Sequence, residues 1–548
     1  MINYTTILTR GVTAGTVEII FAIILLLALL EVVRRTAGNA LPIMSLLFIV
    51  YGMFGQIMPG VLNHKNISLS RIVSSLYLGQ DGVFGVAFGV ATTYIFLFIF
   101  FGSLISQTGM GQFFNDFSNS IAGDKPGGPA KVAVISSALM GMISGSGAAN
   151  VVTTGTFTIP LMKKLGYSSS FAGAVEAVAS SGGQILPPVM GAAAFVMAEF
   201  LGCSYNTVML AALIPALLYF FSVYIVVDME AKRLKLLGQD RATLPKLKNV
   251  LLKQGVMVLP LLVLIFMLVK GYTAIYSCFF SMGALVLINI IFGTLAKHGH
   301  GDTKLLTPRD YLRILIGGGK SAVAILLSCA IIGIVVGIIS LTGLGLMLAN
   351  YILQLSHGSL FITMVLTMIV CIILGMGLPI TPCYIIVSII AVPALVKMGV
   401  VPIAAHMFVL YFGAMSAITP PVALAAFAAA GICGDSAWKV GWQAVRLGIA
   451  GFLIPFAFVY GPQLLLVNAT VPNVLWTLGT CIVGIVALGA GSIGYFNLKL
   501  PIPVRVALII SAVLCIIPEM TTDFIGLGVV LAIGAFIFLK TRRVKKAA

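Results

Sequence analysis

Long runs of apolar residues, separated by short polar stretches, follow one another along almost the whole chain of 548 residues. As a helix, a run of roughly 20 apolar residues crosses the hydrocarbon core of a bilayer. The pattern predicts spans at 16–33, 41–58, 83–105, 130–147, 206–228, 255–270, 274–295, 321–342, 359–376, 441–460, 474–494, 504–518 and 523–540. Segments 64–79 and 109–121 alternate apolar and polar residues at helical spacing, which predicts helices lying in the headgroup plane.

Two regions, 141–200 and 375–434, are cut into short apolar pieces by Gly, Pro, Ser and Thr. They match one another without a gap at a constant offset of 233 positions. The matches of the rarer residue types are Pro160 with Pro393, Lys164 with Lys397, Gly166 with Gly399, and Pro187-Pro188 with Pro420-Pro421. Coincidence between two apolar stretches is the alternative, but the pattern favours an internal structural repeat.

Broken helices in a bilayer are costly unless their free main-chain groups face protein or a water-filled cavity. Interrupted segments at matching positions of two repeats therefore indicate a transporter binding site. Helix N-termini there attract anionic substrates, and hydroxyl or carbonyl oxygens suit a small cation. The polar candidates are Ser144, Ser146, Asn150, Thr153, Thr154, Ser180, Ser181 and Gln184 in the first repeat, and Thr381, Ser416 and Thr419 in the second. Close helix packing through small residues is the alternative explanation for any one of them.

Acidic residues inside the predicted membrane region are few, which makes them informative. Glu176 and Glu199 flank the interrupted segment of the first repeat, and their counterparts in the second are Val409 and Ile432. Glu176 is a candidate coupling residue for an ion or a proton. The alternative is an ion pair, or a hydrogen bond to the backbone of a broken helix.

Composition agrees with a polytopic membrane protein. Apolar residues make up 60% of the chain and charged residues 9%, with a mean hydropathy of +1.13. A soluble domain contains ~25% charged residues. The composition therefore excludes soluble, secreted, disordered, fibrous and coiled-coil classes, and typical nucleic-acid binders. The net charge of +17 is concentrated in 230–253, 296–320 and the C-terminal tail, which favours cytoplasmic segments over a patch for an anionic partner.

Other chemistry is poorly represented. The eight cysteines lie in or beside apolar runs, without the spacing of a metal site or a disulfide framework. Gly317–Ser321 resembles the end of a phosphate-binding loop, but Ile314 stands where its first glycine is required. No Ser/His/Asp or Cys/His set is evident, so the chain is not expected to be an enzyme.

Three runs resemble the large membrane subunit of tripartite ATP-independent periplasmic (TRAP) transporters: 138–155, 173–188 and 375–384. The resemblance covers about 80–462 and is greatest to fused permeases that work with TAXI-type periplasmic binding proteins. It implies an all-α polytopic protein with two inverted repeats and re-entrant helical hairpins, working as an elevator-type importer. It also implies a multi-pass protein of the bacterial inner membrane, with a TAXI-type binding protein and membrane lipid as partners and no nucleic acid.

The resemblance further implies uptake of organic acids or acidic amino acids, coupled to Na⁺ or H⁺ and using no other cofactor. It adds Gly145, Gly182, Gly375, Gly377 and Pro379 to the candidate site, and it suggests Ser144, Ser181, Thr381 and Thr419 as Na⁺ ligands. An ion channel, or a membrane subunit of an ion-translocating complex, is the alternative function.

The resemblance also divides the chain. Residues 1–80 correspond to a partial small subunit, 81–462 to the permease domain with repeats at about 130–200 and 362–434, and 463–548 to extra C-terminal helices. Fused members usually carry a four-helix small subunit, whereas only two spans precede residue 80 here. A separately encoded small membrane subunit therefore remains an open alternative.

Overall fold

A computed structural model of the chain describes residue 9 and residues 14–297, 305–517 and 520–547. Residues 298–304 of the basic segment 296–320 lie outside the described residues. The described part is almost entirely helical, as expected from the sequence. Its one strand pair joins Tyr495–Phe496 to Leu498–Lys499 in antiparallel register.

Six α-helices of the described residues precede the first repeat, and the first two of them lie in segments long enough to cross a membrane. They are α1 (Thr16–Ala37), α2 (Ala40–Phe54), α3 (Leu69–Val73), α4 (Val86–Val90), α5 (Phe96–Gln107) and α6 (Met110–Ala122). A π-helical turn, Ala91–Ile95, joins α4 to α5, so Val86–Gln107 forms one span-length rod. Of the two predicted amphipathic segments, 64–79 is helical only in α3 and its continuation Ser74–Leu78, whereas 109–121 forms α6 after Gly109. Their position in the headgroup plane stays a prediction.

The first repeat and the segment after it contain eight helices. They are α7 (Gly128–Ser144), α8 (Gly147–Lys164), α9 (Ser169–Gly183), α10 (Ala193–Leu201), α11 (Tyr205–Arg233), α12 (Leu247–Gln254), α13 (Leu259–Val269) and α14 (Ala274–Lys297). α7 and α8 form a helical hairpin, and α9 and α10 are the two halves of a broken helix. The basic segment 230–253 follows the end of α11.

The second repeat and the C-terminal part follow the same plan before adding further helices. They are α15 (Pro308–Thr342), α16 (Leu344–Leu355), α17 (Leu360–Gly375), α18 (Ile380–Lys397), α19 (Pro402–Ser416), α20 (Leu424–Cys433), α21 (Ala437–Leu447), α22 (Ile449–Tyr460), α23 (Val471–Ile493), α24 (Ile502–Ile516) and α25 (Met520–Ala547). α17 and α18 form the second hairpin, and α19 and α20 the second broken helix.

Nine helical segments of the described residues are long and apolar enough to cross a membrane. Three of the predicted spans, 130–147, 359–376 and 504–518, correspond to apolar helices of at most 17 residues, and the apolar part of α25 that corresponds to 523–540 is Thr521–Ile537. By contrast, Ile380–Lys397 reaches span length although the sequence pattern predicts no span there.

Two further predicted spans differ in their course. The span at 441–460 is bent by 41° at Gly448, between α21 and α22. The span at 321–342 is part of a longer helix that begins at Pro308. A capping box between Thr307 and Asp310 starts this helix, and the charged residues before position 321 belong to it.

The predicted repeat is present in the structure. Both ends of α8 and α9 recur in α18 and α19 at the offset of 233 positions. The bonds Pro187-Pro188 and Pro420-Pro421 are both cis. Before the hairpins the offset is 234, since α6 and α16 each follow a left-handed glycine, Gly109 and Gly343. The inverted orientation of the repeats and the domain divisions at 80 and 462 stay predictions.

Charged groups hold the outer parts of the bundle together. Lys131 of α7 is buried and its Nζ lies 2.5 Å from an Asp228 carboxylate oxygen on α11. Arg446 of α21 and Arg505 of α24 both donate to the Ser492 carbonyl in the last turn of α23, at 2.8 and 3.2 Å. Cations are favoured at a helix C-terminus, so this contact fixes the C-terminal helices to the segment that follows the second repeat.

Replacement of Gly183 by alanine tests how closely the first hairpin packs on the broken helix. A Cβ atom there would overlap the Cα of Gly141 on α7, whereas one at Gly431 of α20 would meet no atom within 4 Å. Overpacking of this kind costs about 1–3 kcal/mol. We expect Gly183→Ala to lower the melting temperature of the detergent-purified protein and Gly431→Ala to leave it nearly unchanged. Equal melting temperatures for the two variants would contradict this packing.

Candidate functional site

Both hairpins turn on residues that suit a sharp reversal of the chain. α7 ends at Ser144, Gly145 takes a left-handed conformation with φ of +64°, and Ser146 caps α8 by accepting from the Ala149 amide at 3.4 Å. In the second hairpin Gly377 takes φ of +76° and Pro379 precedes α18. Glycine has no Cβ to clash at positive φ, which explains its place at both tips.

The two helix breaks close with similar bonds, the second of which spans one residue more than the first. The Gly191 amide donates to the Gln184 carbonyl at 2.7 Å, and the Ala425 amide donates to the Ala417 carbonyl at 2.9 Å. Each bond spans the cis-proline segment and satisfies main-chain groups that the interrupted helix leaves free. The breaks are therefore built structures, with their remaining groups directed to specific neighbours.

The tips and the breaks meet in one place. A Cβ added to Gly145 would lie 3.1 Å from the Met190 carbonyl oxygen, so the first tip touches the first break. One added to Gly191 would lie 3.3 Å from the Ile380 side chain at the start of α18, so the first break touches the second tip. The Ser416 hydroxyl donates to the Gly375 carbonyl at 3.2 Å, which joins the second break to the second tip.

Polar side chains line the junction between the first hairpin and α9. The Asn150 amide nitrogen donates to the Ser137 carbonyl at 2.9 Å and to the Ser180 hydroxyl at 3.1 Å. Two buried oxygens, Asn150 Oδ1 and Ser181 Oγ, have no hydrogen-bond partner among the described residues. Burying an unpaired polar oxygen costs free energy, so each calls for a ligand. Hard oxygens of this kind suit a small cation.

Glu176 lies deeper in the same junction and is completely buried. Its carboxylate contacts four hydroxyl groups from all three helices. The distances are 2.5 Å to Ser137 of α7, 2.5 Å to Thr158 of α8 and 3.2 Å to Ser180 of α9, and Thr154 of α8 also donates to it. The acid is thus held by side-chain hydroxyls, without an ion pair in the described part of the chain and without a bond to a broken-helix backbone.

The second repeat does not reproduce this polar junction. The counterparts of Ser137, Asn150, Thr154, Thr158, Glu176, Ser180 and Ser181 at the 233 offset are Val370, Cys383, Val387, Ala391, Val409, Gly413 and Ala414. Seven polar positions in one repeat are therefore apolar or small in the other. The buried polar network that surrounds Glu176 therefore has no equivalent at these positions of the second repeat.

The remaining candidates differ in where they lie. Thr381 is buried in the first turn of α18, and Gly182 packs against the Tyr219 ring. Ser144 and Pro379 are exposed at the tips, and Thr419 is half-buried and donates to its own helix at the Met415 carbonyl. Thr153 lies on the exposed side of α8, away from Glu176, and donates to the Ala149 carbonyl.

Sequence reasoning missed Ser137 and Thr158, two of the four hydroxyls around Glu176. The sequence shows that both residues are polar within otherwise apolar helices. It does not show the rotation of each helix about its axis, which directs both hydroxyls toward Glu176. His406 of α19 is a further buried polar residue near the second hairpin. The structure places its Nδ1 atom 2.7 Å from the buried Tyr384 hydroxyl.

The chain is similar to one known protein family and to several curated proteins. The family model described as "Tripartite ATP-independent periplasmic transporter, DctM component" matches residues 24–474. The protein named YgiK of Salmonella typhimurium is 24% identical over 403 residues, covering 74% of this chain and 88% of that protein. The 2,3-diketo-L-gulonate TRAP transporter large permease protein YiaN of Escherichia coli is 23% identical, covering 59% and 74%. The C4-dicarboxylate TRAP transporter large permease protein DctM of Pseudomonas aeruginosa is 23% identical, covering 67% and 85%.

Substitution of Glu176 separates its structural contribution from its charge. Glu176→Leu removes the buried acceptor that four hydroxyls share, and Ser180 has no other acceptor among the described residues, which costs about 1–3 kcal/mol. We expect a large fall in melting temperature for Glu176→Leu and a small one for Glu176→Gln, whose amide oxygen still accepts. The exposed Glu199→Leu serves as the matched control and should melt like the wild type. A Glu176→Leu variant as stable as this control would contradict a stabilising role of the hydrogen bonds between Glu176 and the four hydroxyls.

Proposed function

Because the chain belongs to the DctM family of tripartite ATP-independent periplasmic transporters, we propose that it imports an organic anion across the membrane, driven by a cation gradient. Members of this family are transporter permeases of the inner membrane, not enzymes, and they work with a periplasmic substrate-binding protein. The chain is therefore a multi-pass TRAP-type transport subunit. Its substrate, its coupling ion and a TAXI type of binding protein belong to the proposal.

The meeting of two tips and two breaks carries the proposal. The N-terminal turns of α8 and α18 begin there, at Gly147 and Ile380. Free amide groups and the partial positive charge of a helix N-terminus stabilise a carboxylate ligand. Half-helix N-termini directed at anionic substrate groups are a recurring feature of transporters with broken helices.

The names of two relatives agree with an anionic substrate. 2,3-Diketo-L-gulonate and a C4-dicarboxylate both carry carboxylate groups. We assign this chain an organic acid, with an acidic amino acid as the second member of the same chemical class. Delivery would come from a periplasmic binding protein, for which the TAXI type is our proposal.

Sodium is the coupling ion that the junction favours. The unpartnered oxygens of Ser181 and Asn150 lie in the packed contact between α9 and the first turns of α8, where Gly147 leaves room beside Ser181. Ser144 and Thr381 at the two tips and Thr419 in the second helix break supply further hydroxyl oxygens. A proton on Glu176 is the competing coupling mechanism, since its hydroxyl cage accepts either protonation state.

Differences in exposure between the two hairpins support an elevator-type movement. Val152 and Phe157 of α8 are 56% and 72% exposed, whereas their counterparts on α18, Ile385 and Ile390, are 0% and 2% exposed. In the second repeat α18 packs against α16. In the first repeat the helix that corresponds to α16 is α6, and it packs against α7 rather than against α8. If the hairpins exchange these environments, α8 would pack against α6 in a second state.

One polar contact of the second hairpin predicts which residues would meet if the two hairpins exchanged environments. Lys397 at the end of α18 donates to the Asn350 side chain of α16 at 2.7 Å. The corresponding residues in the first repeat are Lys164 and Asp116. Asp116 instead accepts from Gln112 and Gln254, at 3.1 and 3.2 Å, and Lys164 is exposed. Lys164 and Asp116 would form an ion pair in the second state.

Conservative substitutions test the ion site. Ser181→Ala and Thr381→Val each remove one hydroxyl with little change in volume, and we expect at least a tenfold fall in Na⁺-driven uptake by proteoliposomes. Thr294→Val is the control, because its exposed hydroxyl contacts only its own helix α14. Normal uptake by both site variants would refute the assignment, and uptake that needs ATP without an ion gradient would refute the mechanism.

Cross-linking tests the movement. In a background without native cysteines, a short bis-maleimide should join Asn350→Cys to Lys397→Cys in the state seen here, and Lys164→Cys to Asp116→Cys in the second state. Saturating Na⁺ and substrate should change the two yields in opposite directions. Yields that never respond to these ligands would contradict an exchange of environments between the hairpins.

A further inference from the structure

A cavity of about 530 Å³ lies between the second hairpin and the helices that hold it. Its walls come from α15, α16 and α18, from the segment Gln80–Ala87, and from Phe200 and His406. This volume falls within the range of about 300–1,000 Å³ that small-molecule sites occupy. The cavity is separate from the hairpin tips, since it follows the middle of α18, between Ile385 and Pro393.

Apolar side chains form most of the cavity wall. They include Val86, Phe200, Val336, Leu346, Ile389 and Val392. A hydrocarbon chain or ring placed there would leave water for apolar surroundings, which is favourable in proportion to its area. The body of a fitting ligand is therefore apolar.

Asp81 supplies the only full charge among the described residues that line the cavity. Its carboxylate accepts from the Ser340 hydroxyl at 3.4 Å, and it forms no ion pair with a described residue. A carboxylate without a cationic partner attracts a cationic ligand group and repels an anionic one. The charge of a fitting ligand is therefore positive.

His406 provides a second, buried recognition group. The side chain is 8% exposed and faces the cavity. Its Nδ1 atom bonds the Tyr384 hydroxyl at 2.7 Å, so the ring is fixed, while Nε2 has no hydrogen bond to a described residue. A fixed ring with a free nitrogen can bond a hydroxyl or ester oxygen of a ligand.

We propose that this cavity binds an amphipathic ammonium compound, whose cationic head meets Asp81 and whose apolar part lies between α16 and α18. The same chemistry occurs in a membrane aminophospholipid and in a free organic amine. A ligand that contacts α15, α16 and α18 together stabilises the contact between α16 and the second hairpin. If the hairpins move as proposed above, a ligand that stabilises this contact inhibits transport. Because the cavity is separate from the hairpin tips, such an inhibitor does not compete with substrate.

The probe for the experiment is octyltrimethylammonium, with octyl sulfate and tetramethylammonium as comparisons for charge and for the apolar chain. Binding to the full chain in phosphatidylglycerol nanodiscs is measured from the shift of its melting temperature. We expect the octyl cation alone to stabilise the wild type. Asp81→Asn should weaken binding about tenfold or more, as expected for loss of a charge-assisted contact. Asp81→Lys should favour octyl sulfate instead.

Asp240→Lys is the matched control, because Asp240 is an exposed carboxylate in the basic segment far along the chain from the cavity. It should bind the cation like the wild type. Equal binding of the two octyl probes, or equal affinity in the wild type and both Asp81 variants, would overturn the proposal. Since Asp81 is exposed, these variants are expected to fold, which their melting temperatures without probe will verify.

Further measurements separate the source of the ligand and the role of movement. Adding phosphatidylethanolamine to the nanodiscs should weaken probe binding to the wild type, but not to Asp81→Asn, if the lipid occupies the cavity, and should have no effect if the ligand is a soluble amine. The probe should raise the cross-linking yield of Asn350→Cys with Lys397→Cys. Binding without this rise would overturn the inhibitory role, whereas a wild-type protein that takes up no organic anion under a cation gradient would count against the transport function instead.

Discussion

The structure depends on one constraint: where a helix is interrupted inside hydrocarbon, its main-chain groups must be satisfied by the protein itself. Both interruptions meet this requirement with a main-chain bond across the cis-proline segment, from Gly191 to Gln184 and from Ala425 to Ala417. The remaining groups need close neighbours, which the hairpin tips provide. Gly141, Gly145 and Gly183 allow that approach because they carry no side chain. The enclosed junction that results is where polar oxygens can stay buried and still reach a ligand.

The two repeats share this backbone plan but not its chemistry. In the first, hydroxyl and amide groups from three helices surround Glu176 and leave the oxygens of Ser181 and Asn150 without protein partners. In the second, the corresponding positions are apolar or small. A shared backbone plan with unequal linings therefore places the buried polar network of this junction in the first repeat.

The fold could be predicted further than the site. Sparse residues such as Pro160 and Pro187 fixed the repeat offset, and helix ends at Lys164 and Lys397 follow it in the structure. The network around Glu176 could not be derived, because contact depends on helix rotation. Thr153 and Thr154 differ by one position, about 100° around the helix, and only Thr154 faces the acid. The bend at Gly448 and the extension of α15 back to Pro308 were also missed, since hydropathy reports apolar length and not the course of the helix axis.

The change of offset from 234 to 233 between α6 and the first hairpin has an evolutionary consequence. An added or deleted residue inside α8 or α9 would turn everything beyond it by about 100° and carry the polar lining out of the junction. The same length change between α6 and α7 only alters a connection. Insertions and deletions that arose after the duplication of an ancestral unit should therefore have survived in the linkers alone. The identical bounds of α8 with α18 and of α9 with α19 at the offset of 233 record that selection on length.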